Sequence, residues 1–234
     1  LKRLAKYNKE KKIGLIIQAR QTSKRLPNKV LKKIKGHSMI EILLARLIRS
    51  KTVNIIIVAI PKNKKNNKLN EHLNSIHANV FRGSEYNVLK RYYDVAKFYN
   101  FNSIARITSD CPLINYKILD KGVNFFEKFQ PEYASNTNPR STPKGFSVEI
   151  FDFKALKKSF LNAKKKYQKE HVNYYMLENK KFKKMNFYLK NSMFSKKNYS
   201  VDTLNDFKRV SKVFDKFYPN FQFDLEDVKK KITT

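Results

Sequence analysis

The amino-acid sequence predicts an α/β fold: a single doubly wound, mostly parallel sheet of the Rossmann-like kind, with helices on both faces. Three observations carry this. Apolar runs of strand length recur at 13–17, 53–60 and 103–108. Each is rich in branched residues, as expected of strands buried on both faces. Helical spacing of apolar residues separates them, the pattern of consecutive βαβ units.

In order, Ile13 to Ile17 forms the first strand and runs into a basic loop. Met39 to Ser50 reads as an amphipathic helix with Ile40, Leu43, Leu44 and Leu47 on one face and Ser38 as its cap. Val53 to Ile60, closed by Pro61, is the second strand, and Lys62 to Ser75 a polar helix anchored by Leu69 and Leu73. Val80 to Ser84 is a short strand and turn, Asn87 to Tyr99 a helix, and Ser103 to Thr108 the next strand. Pro131 to Pro143 breaks into Asn, Ser, Thr and Pro, a loop expected to cover the site. Gly145 to Phe151 alternates like a strand, Lys154 to Lys164 and 167–178 read as helices, and Phe182 to Leu189 as a strand. Tyr199 to Asp202 enters a last helix at Thr203. The economical division is a basic extension (1–12), one domain (13–220) and a C-terminal tail (221–234).

At 234 residues the chain can bury one sizeable core. Its single cysteine excludes an internal disulfide framework and agrees with a reducing, cytoplasmic setting. There is no apolar run of about 18 residues, so no membrane span is expected. The first twelve residues are basic with no apolar core, unlike a secretory signal peptide, and the start at Leu1 leaves a longer chain open. A net charge of +32, from 51 Lys and Arg against 19 Asp and Glu, attracts polyanions. Yet the lysines are spread over nearly every segment, which argues for a composition bias and against a dedicated nucleic-acid stripe.

Three stretches carry chemistry. In the first, a buried strand ends in Arg20, Lys24, Arg25 and Lys29, stiffened by Pro27 and without the glycines of a phosphate-binding P-loop. Side chains must then hold an anion: an Arg fork and a Lys point charge. A solvated basic turn is the bland alternative. In the second, Arg106-Ile-Thr-Ser-Asp110-Cys-Pro-Leu-Ile114, a carboxylate at a strand end precedes a proline, a suitable metal ligand or simply a turn residue. Cys111 reads as a small buried filler. In the third, Ser200-Val-Asp202-Thr203-Leu-Asn-Asp206, Asp202 is a second candidate ligand or an ordinary cap.

Ala19-Arg20-x-x-Ser23-x-Arg25-Leu26-Pro27-x-Lys29-x-Leu31 resembles the first motif of the cytidylyltransferases that make CMP-activated sugar acids, the CMP-octulosonate and CMP-acylneuraminate synthetases. Within that group it is most similar to the spore-coat polysaccharide biosynthesis protein F family. The resemblance extends over residues 13 to about 210 and implies a nucleotide-diphospho-sugar transferase-like fold. It implies that a sugar hydroxyl attacks the α-phosphorus of CTP and expels pyrophosphate, with Mg²⁺ held by Asp110 and Asp202. Arg20 and Lys29 would hold the β- and γ-phosphates, supported by Ser23 and Arg25, so Arg20, Lys29, Asp110 and Asp202 form the implied catalytic set. Gln18, Ala19, Thr108 and Ser109 complete the implied nucleotide contacts. Phe81-Arg82-Gly83-Ser84-x-x-Asn87-Val-Leu-x-Arg91 resembles the segment beside the nucleotide, which adds Arg82, Gly83, Ser84 and Arg91.

Gly145-Phe-Ser-Val-Glu149 and Lys169-Glu170-His171-Val172 resemble the sugar side of the pocket, assigning Gly145, Glu149, Glu170 and His171 to the acceptor. The family usually shows Asp where Ser147 stands and often Arg where Lys169 stands, which weakens any transfer of acceptor identity. CTP and a sugar are thus the expected partners, no membrane is, and a homodimer stays open. Another nucleoside triphosphate, a nucleic-acid-binding role and a sugar-binding relative without turnover are the competing readings.

Overall fold

In the computed structural model, which describes residues 12–189 and 197–233, alternate residues of each central strand feed two separate cores. Leu15 and Ile17 face one side and Ile16 the other; Val58 and Ile60 oppose Ile57 and Ala59; Ala105 and Ile107 oppose Ile104. That is the period-2 consequence of strands buried on both faces. The basic extension predicted for 1–12 lies outside the described residues, Lys12 excepted.

The strands are β1 (Ile13–Gln18), β4 (Ile55–Pro61), β5 (Asn79–Gly83), β6 (Ser103–Thr108), β7 (Tyr133–Ser135), β8 (Glu149–Asp152) and β9 (Lys184–Asn186). They form one sheet in the order β5-β4-β1-β6-β8-β7-β9. Pairings β1–β4, β1–β6, β4–β5 and β7–β9 are parallel, whereas β8 runs antiparallel to both β6 and β7. A separate two-stranded ribbon, β2 (Lys33–Ile34) with β3 (His37–Ser38), leads into the first helix. The expected mostly parallel α/β sheet is therefore present, with one reversed strand.

Helices α1 (Met39–Leu47), α2 (Asn67–Ser75), α4 (Tyr116–Phe129), α8 (Leu204–Phe217) and α9 (Leu225–Thr233) pack on one face. On the other lie α3 (Val88–Phe98), α5 (Phe153–Asn162), α6 (Lys166–Glu170) and α7 (Tyr174–Glu178). The α1 start follows the predicted cap: Ser38 accepts from Glu41 N while Glu41 reaches back to Ser38 N, a reciprocal capping box.

Several expectations differ from what is found. The reading from 167 to 178 gives one helix, but the chain breaks it at His171–Asn173 into α6 and α7. Helix α4 has no counterpart in the sequence reading, although Asn115 caps it and Ile118, Leu119, Val123 and Phe126 recur at helical spacing on the buried face that Gly122 shares. A Cβ there would come within 2.8 Å of the Phe187 ring and 2.9 Å of Ile150, so glycine allows the helix to lie close on β8. The Pro131–Pro143 stretch is not wholly loop, since Tyr133, Ala134 and Ser135 form buried β7. The predicted tail contributes Phe223, Leu225 and Val228 to the core.

From β1 the chain moves outward through β4 and β5, then crosses back so that β6 pairs on the other side of β1. The loops after β1 and β6 thus diverge at a topological switch point, where open sheets of this kind form their ligand crevice.

Candidate active site

Buried anchors shape the loop after β1. Leu26 and Val30 reach into the core, and Gln21 pins the loop to α2, its amide receiving Leu69 N at 3.1 Å while Gln21 N donates to Asn66 at 2.8 Å. With those residues fixed, Arg20, Lys24 and Arg25 project into solvent and Lys29 turns inward. The loop after β6 is drawn to the same place by Ser109 N donating to Gln18 O at 3.3 Å. The segment before α8 joins it because Val201 N donates to Asp110 O at 2.8 Å.

The consequence is a tight cluster of opposite charge. Lys29 Nζ lies 3.0 Å from Asp202 Oδ1 and 3.8 Å from Asp110 Oδ2, and donates to Val201 O at 2.8 Å. Arg25 Nη2 approaches the same Asp202 oxygen at 2.9 Å. Two carboxylates 92 positions apart in sequence thus face one ammonium, which is only 13% exposed. Asp202 is held by the start of α8, where Thr203 and Asp206 form a capping box and Asp206 also receives Asp202 N at 3.1 Å.

Around this cluster opens a cleft of about 640 Å³ lined by Gln18, Ala19, Arg20, Ser23, Arg25, Lys29, Arg91, Thr108, Ser109, Asp110, Glu170, His171 and Asp202, all expected from sequence. Lys24, one of the four loop cations read from sequence, lines it too, and so do Thr22, Pro61, Glu85 and Val88, to which the sequence reading gave no role. A smaller pocket of about 210 Å³ shares Thr108 and Asp110 with it and is walled by Gly145, Ser147, Glu149, Lys144 and Ser200. Gly145 has φ +98, and a Cβ there would sit 2.6 Å from the Tyr199 carbonyl carbon, so glycine lets the two pocket walls touch. Ser147, where the resembled family usually has Asp, accepts from Arg140 at 3.1 Å. The four expected acceptor residues therefore split, with Gly145 and Glu149 in the small pocket and Glu170 and His171 in the large cleft.

A buried polar pair walls the small pocket, formed by Glu149, which the sequence reading gave to the acceptor, and Arg106, to which it gave no role. Arg106 Nη1 donates to Glu149 Oε1 at 2.7 Å, and its Nε and Nη2 donate to Gln18 Oε1 at 3.4 and 3.2 Å. Antiparallel pairing of β6 with β8 sets Arg106 directly opposite Glu149. Burial disfavours the cation, but Glu149 outweighs it and pushes the Arg106 pKa above its ordinary value. The available signal was an arginine inside an otherwise apolar strand, which demands a partner.

Arg82, Gly83 and Ser84 are not among the residues lining the cleft. Arg82 is committed to the backbone of Asn63 at 2.9 Å and to Asn67 at 2.8 Å, tying β5 to α2. Gly83 serves by close approach: a Cβ would meet Arg91 Cγ at 2.9 Å. Arg91 does reach the cleft, 3% exposed, with Nη1 donating to Ser84 O; burial, with Arg20 nearby, lowers its pKa to about 10. Cys111 is buried as expected, and burial with the neighbouring Asp110 pushes its thiol up, opposing a nucleophilic role.

Two carboxylates converging from different loops are a donor set for a hard, oxygen-preferring divalent cation. Among the described residues no cluster of three or more His, Cys, Asp or Glu occurs. The set therefore fits an ion that keeps several waters and takes phosphate oxygens, as Mg²⁺ does, and not a cation needing a full protein cage.

Residues 15–229 match the family described as Cytidylyltransferase. A cytidylyltransferase structure from Leptospira borgpetersenii superposes with a TM-score of 0.91 at 32% identity, covering 95% of this chain and 94% of its own. An uncharacterized protein of Methanocaldococcus jannaschii is 46% identical over 200 residues, 84% of this chain and 81% of that protein. The spore coat polysaccharide biosynthesis protein SpsF of Bacillus subtilis is 27% identical over 211 residues, 87% of each chain. The match over nearly the whole chain, on a sheet whose switch point holds this cleft, places the protein in the cytidylyltransferase family and makes it a nucleotidyltransferase.

Proposed function

We propose that the protein transfers the CMP group of CTP to a hydroxyl of a sugar, by family resemblance a keto-acid sugar, in the synthesis of a surface polysaccharide. The observation that carries this is the convergence of Asp110 and Asp202 on Lys29 beside the cationic loop. A triphosphate is the ligand that needs such a site, because its transfer depends on positioning and charge neutralisation more than on covalent work by side chains. The polysaccharide assignment follows SpsF, whose name states that role.

In this reading Arg20, Lys24, Arg25 and Lys29 take the phosphate oxygens, and Ser23 adds a hydroxyl. The sugar enters through the small pocket, which meets the nucleotide cleft at Thr108 and Asp110. Its hydroxyl oxygen bonds to the α-phosphorus, the bond to the bridging oxygen of the β-phosphate breaks, pyrophosphate leaves, and the hydroxyl proton passes to solvent. Asp110 and Asp202 would hold Mg²⁺, which supplies Lewis-acid neutralisation of phosphate charge and a more acidic attacking hydroxyl.

The test has two stages. Thermal shift with each of the four nucleoside triphosphates plus Mg²⁺ is expected to raise the melting temperature most for CTP, since a ligand bound only by the native state stabilises it. Pyrophosphate release from CTP with a panel of keto-acid sugars then identifies the acceptor, and EDTA is expected to abolish it. Equal shifts for all four nucleotides, with no release from CTP, would refute the reading.

A further inference from the structure

The geometry points to Glu85 as the group that selects cytosine over uracil, by accepting a hydrogen bond from the exocyclic amine of the base. This deepens the CTP reading and rests on it.

Sheet order places the parts of the ligand. The small pocket lies over β6 and β8, and the cation–carboxylate cluster over β1 and β6. The attacking hydroxyl and the departing pyrophosphate lie on opposite faces of the α-phosphorus, so the nucleoside hangs to the side of that axis, and its base is assigned to the apolar part of the cleft, toward β4 and β5. The lining changes character there. Ala19, Pro61 and Val88 are its apolar residues, in a cleft otherwise walled by charged and polar groups. Ala19 N donates to Ala59 O at 3.2 Å, Pro61 ends β4, and Val88 starts α3, so all three belong to the β4–β5 end. A flat, weakly polar ring fits between them.

Glu85 stands at that end, in the turn between β5 and α3. Asp110 and Asp202 are engaged by Lys29 and Arg25, whereas Glu85 has no hydrogen-bond or ion-pair partner among the described residues. Cytosine presents an amine donor at N4, which a carboxylate accepts. Uracil would set its O4 acceptor against the Glu85 carboxylate, leaving both unpaired, and a site built for a hydrogen bond rejects such an analogue strongly. Glu170, on α6, is the other cleft carboxylate without a hydrogen bond or ion pair among the described residues. It adjoins the exposed His171, outside the β5–α3 turn that carries Glu85, and serves as the control.

The experiment compares kcat/KM for CTP and UTP in the wild type, Glu85→Gln and Glu170→Gln, with the thermal shift produced by each nucleotide measured in parallel. Glu85→Gln is expected to lower the CTP-to-UTP ratio at least tenfold, UTP gaining because a carboxamide can donate to O4; Glu170→Gln should keep the wild-type ratio. A Glu85→Gln ratio within twofold of wild type, in turnover and in thermal shift, overturns the assignment while leaving the CTP reading intact. So does a collapse of selectivity in Glu170→Gln instead. A wild type that does not prefer CTP sinks both.

Discussion

At the residue scale, Lys29 differs from the other lysines of this lysine-rich chain in where its charge is held. It is largely buried and touches both carboxylates, while Lys64 is exposed and lies outside the cleft lining. A charge-assisted hydrogen bond to a desolvated phosphate contributes roughly 1.5–3 kcal/mol, or about 10- to 150-fold in rate if it acts in the transition state. Arg20→Ala and Lys29→Ala are each expected to lower kcat/KM at least tenfold in the pyrophosphate-release assay, with Lys64→Ala unchanged. Equal rates in all three would remove the loop from phosphate binding. Lys29→Ala should also lower the melting temperature of the free protein, because Asp110 would lose its ion-pair partner and Asp202 would keep only the exposed Arg25.

At the scale of an element, the start of α8 couples stability to the site. Burial works against the Asp206 anion, but hydrogen bonds from Thr203, Arg209 and the backbone NH groups of Thr203 and Asp202 win and hold its pKa down to about 2. A depressed carboxylate pKa stabilises the fold above the unfolded value near 4, and that stabilisation disappears as pH falls toward 2. The contribution is on the order of 1–2 kcal/mol after allowing for partial exposure of the group. Asp206→Asn should therefore be less stable than wild type at pH 7, with the difference shrinking between pH 4 and pH 2 in denaturant unfolding. A difference independent of pH would place the cap's contribution elsewhere. Since the same helix start carries Asp202, the variant should also weaken activity.

At the scale of the whole molecule, Arg46 joins regions far apart in sequence. From α1, with 0% exposure, it donates to the carbonyl oxygens of Leu113, Ile114 and Phe223 at 2.7, 3.1 and 2.8 Å, and also to Phe221 O. Its guanidinium lies 4.3 Å from the centre of the Phe223 ring. One side chain thus ties the first helix, the loop that carries Asp110 and the C-terminal segment. Arg46→Met keeps much of the volume but leaves four carbonyls without a donor, at roughly 1 kcal/mol or more each. The expected loss is at least about 3 kcal/mol in denaturant unfolding; a loss below about 1 kcal/mol would show that the C-terminal segment is held by its apolar contacts alone.

The sequence by itself determined the alternation of strands and helices, the α1 cap at Ser38 and the residue types at the strand ends, because propensity, apolar periodicity and capping act within a few neighbouring residues. A local signal failed at His171–Asn173, where the break was invisible in a helical pattern, whereas α4, with its Asn115 cap and periodic apolar face, did carry one. The family resemblance anticipated that Asp110, Asp202, Lys29 and Arg91 share a site, which no single segment shows; tertiary structure alone decided that reversed β8 sets Glu149 against Arg106 and that Arg82 is spent on Asn63 and Asn67. Each of these depends on strand order and direction, which bring residues together across tens of positions; no pattern within a single segment encodes which distant charge will complete a site.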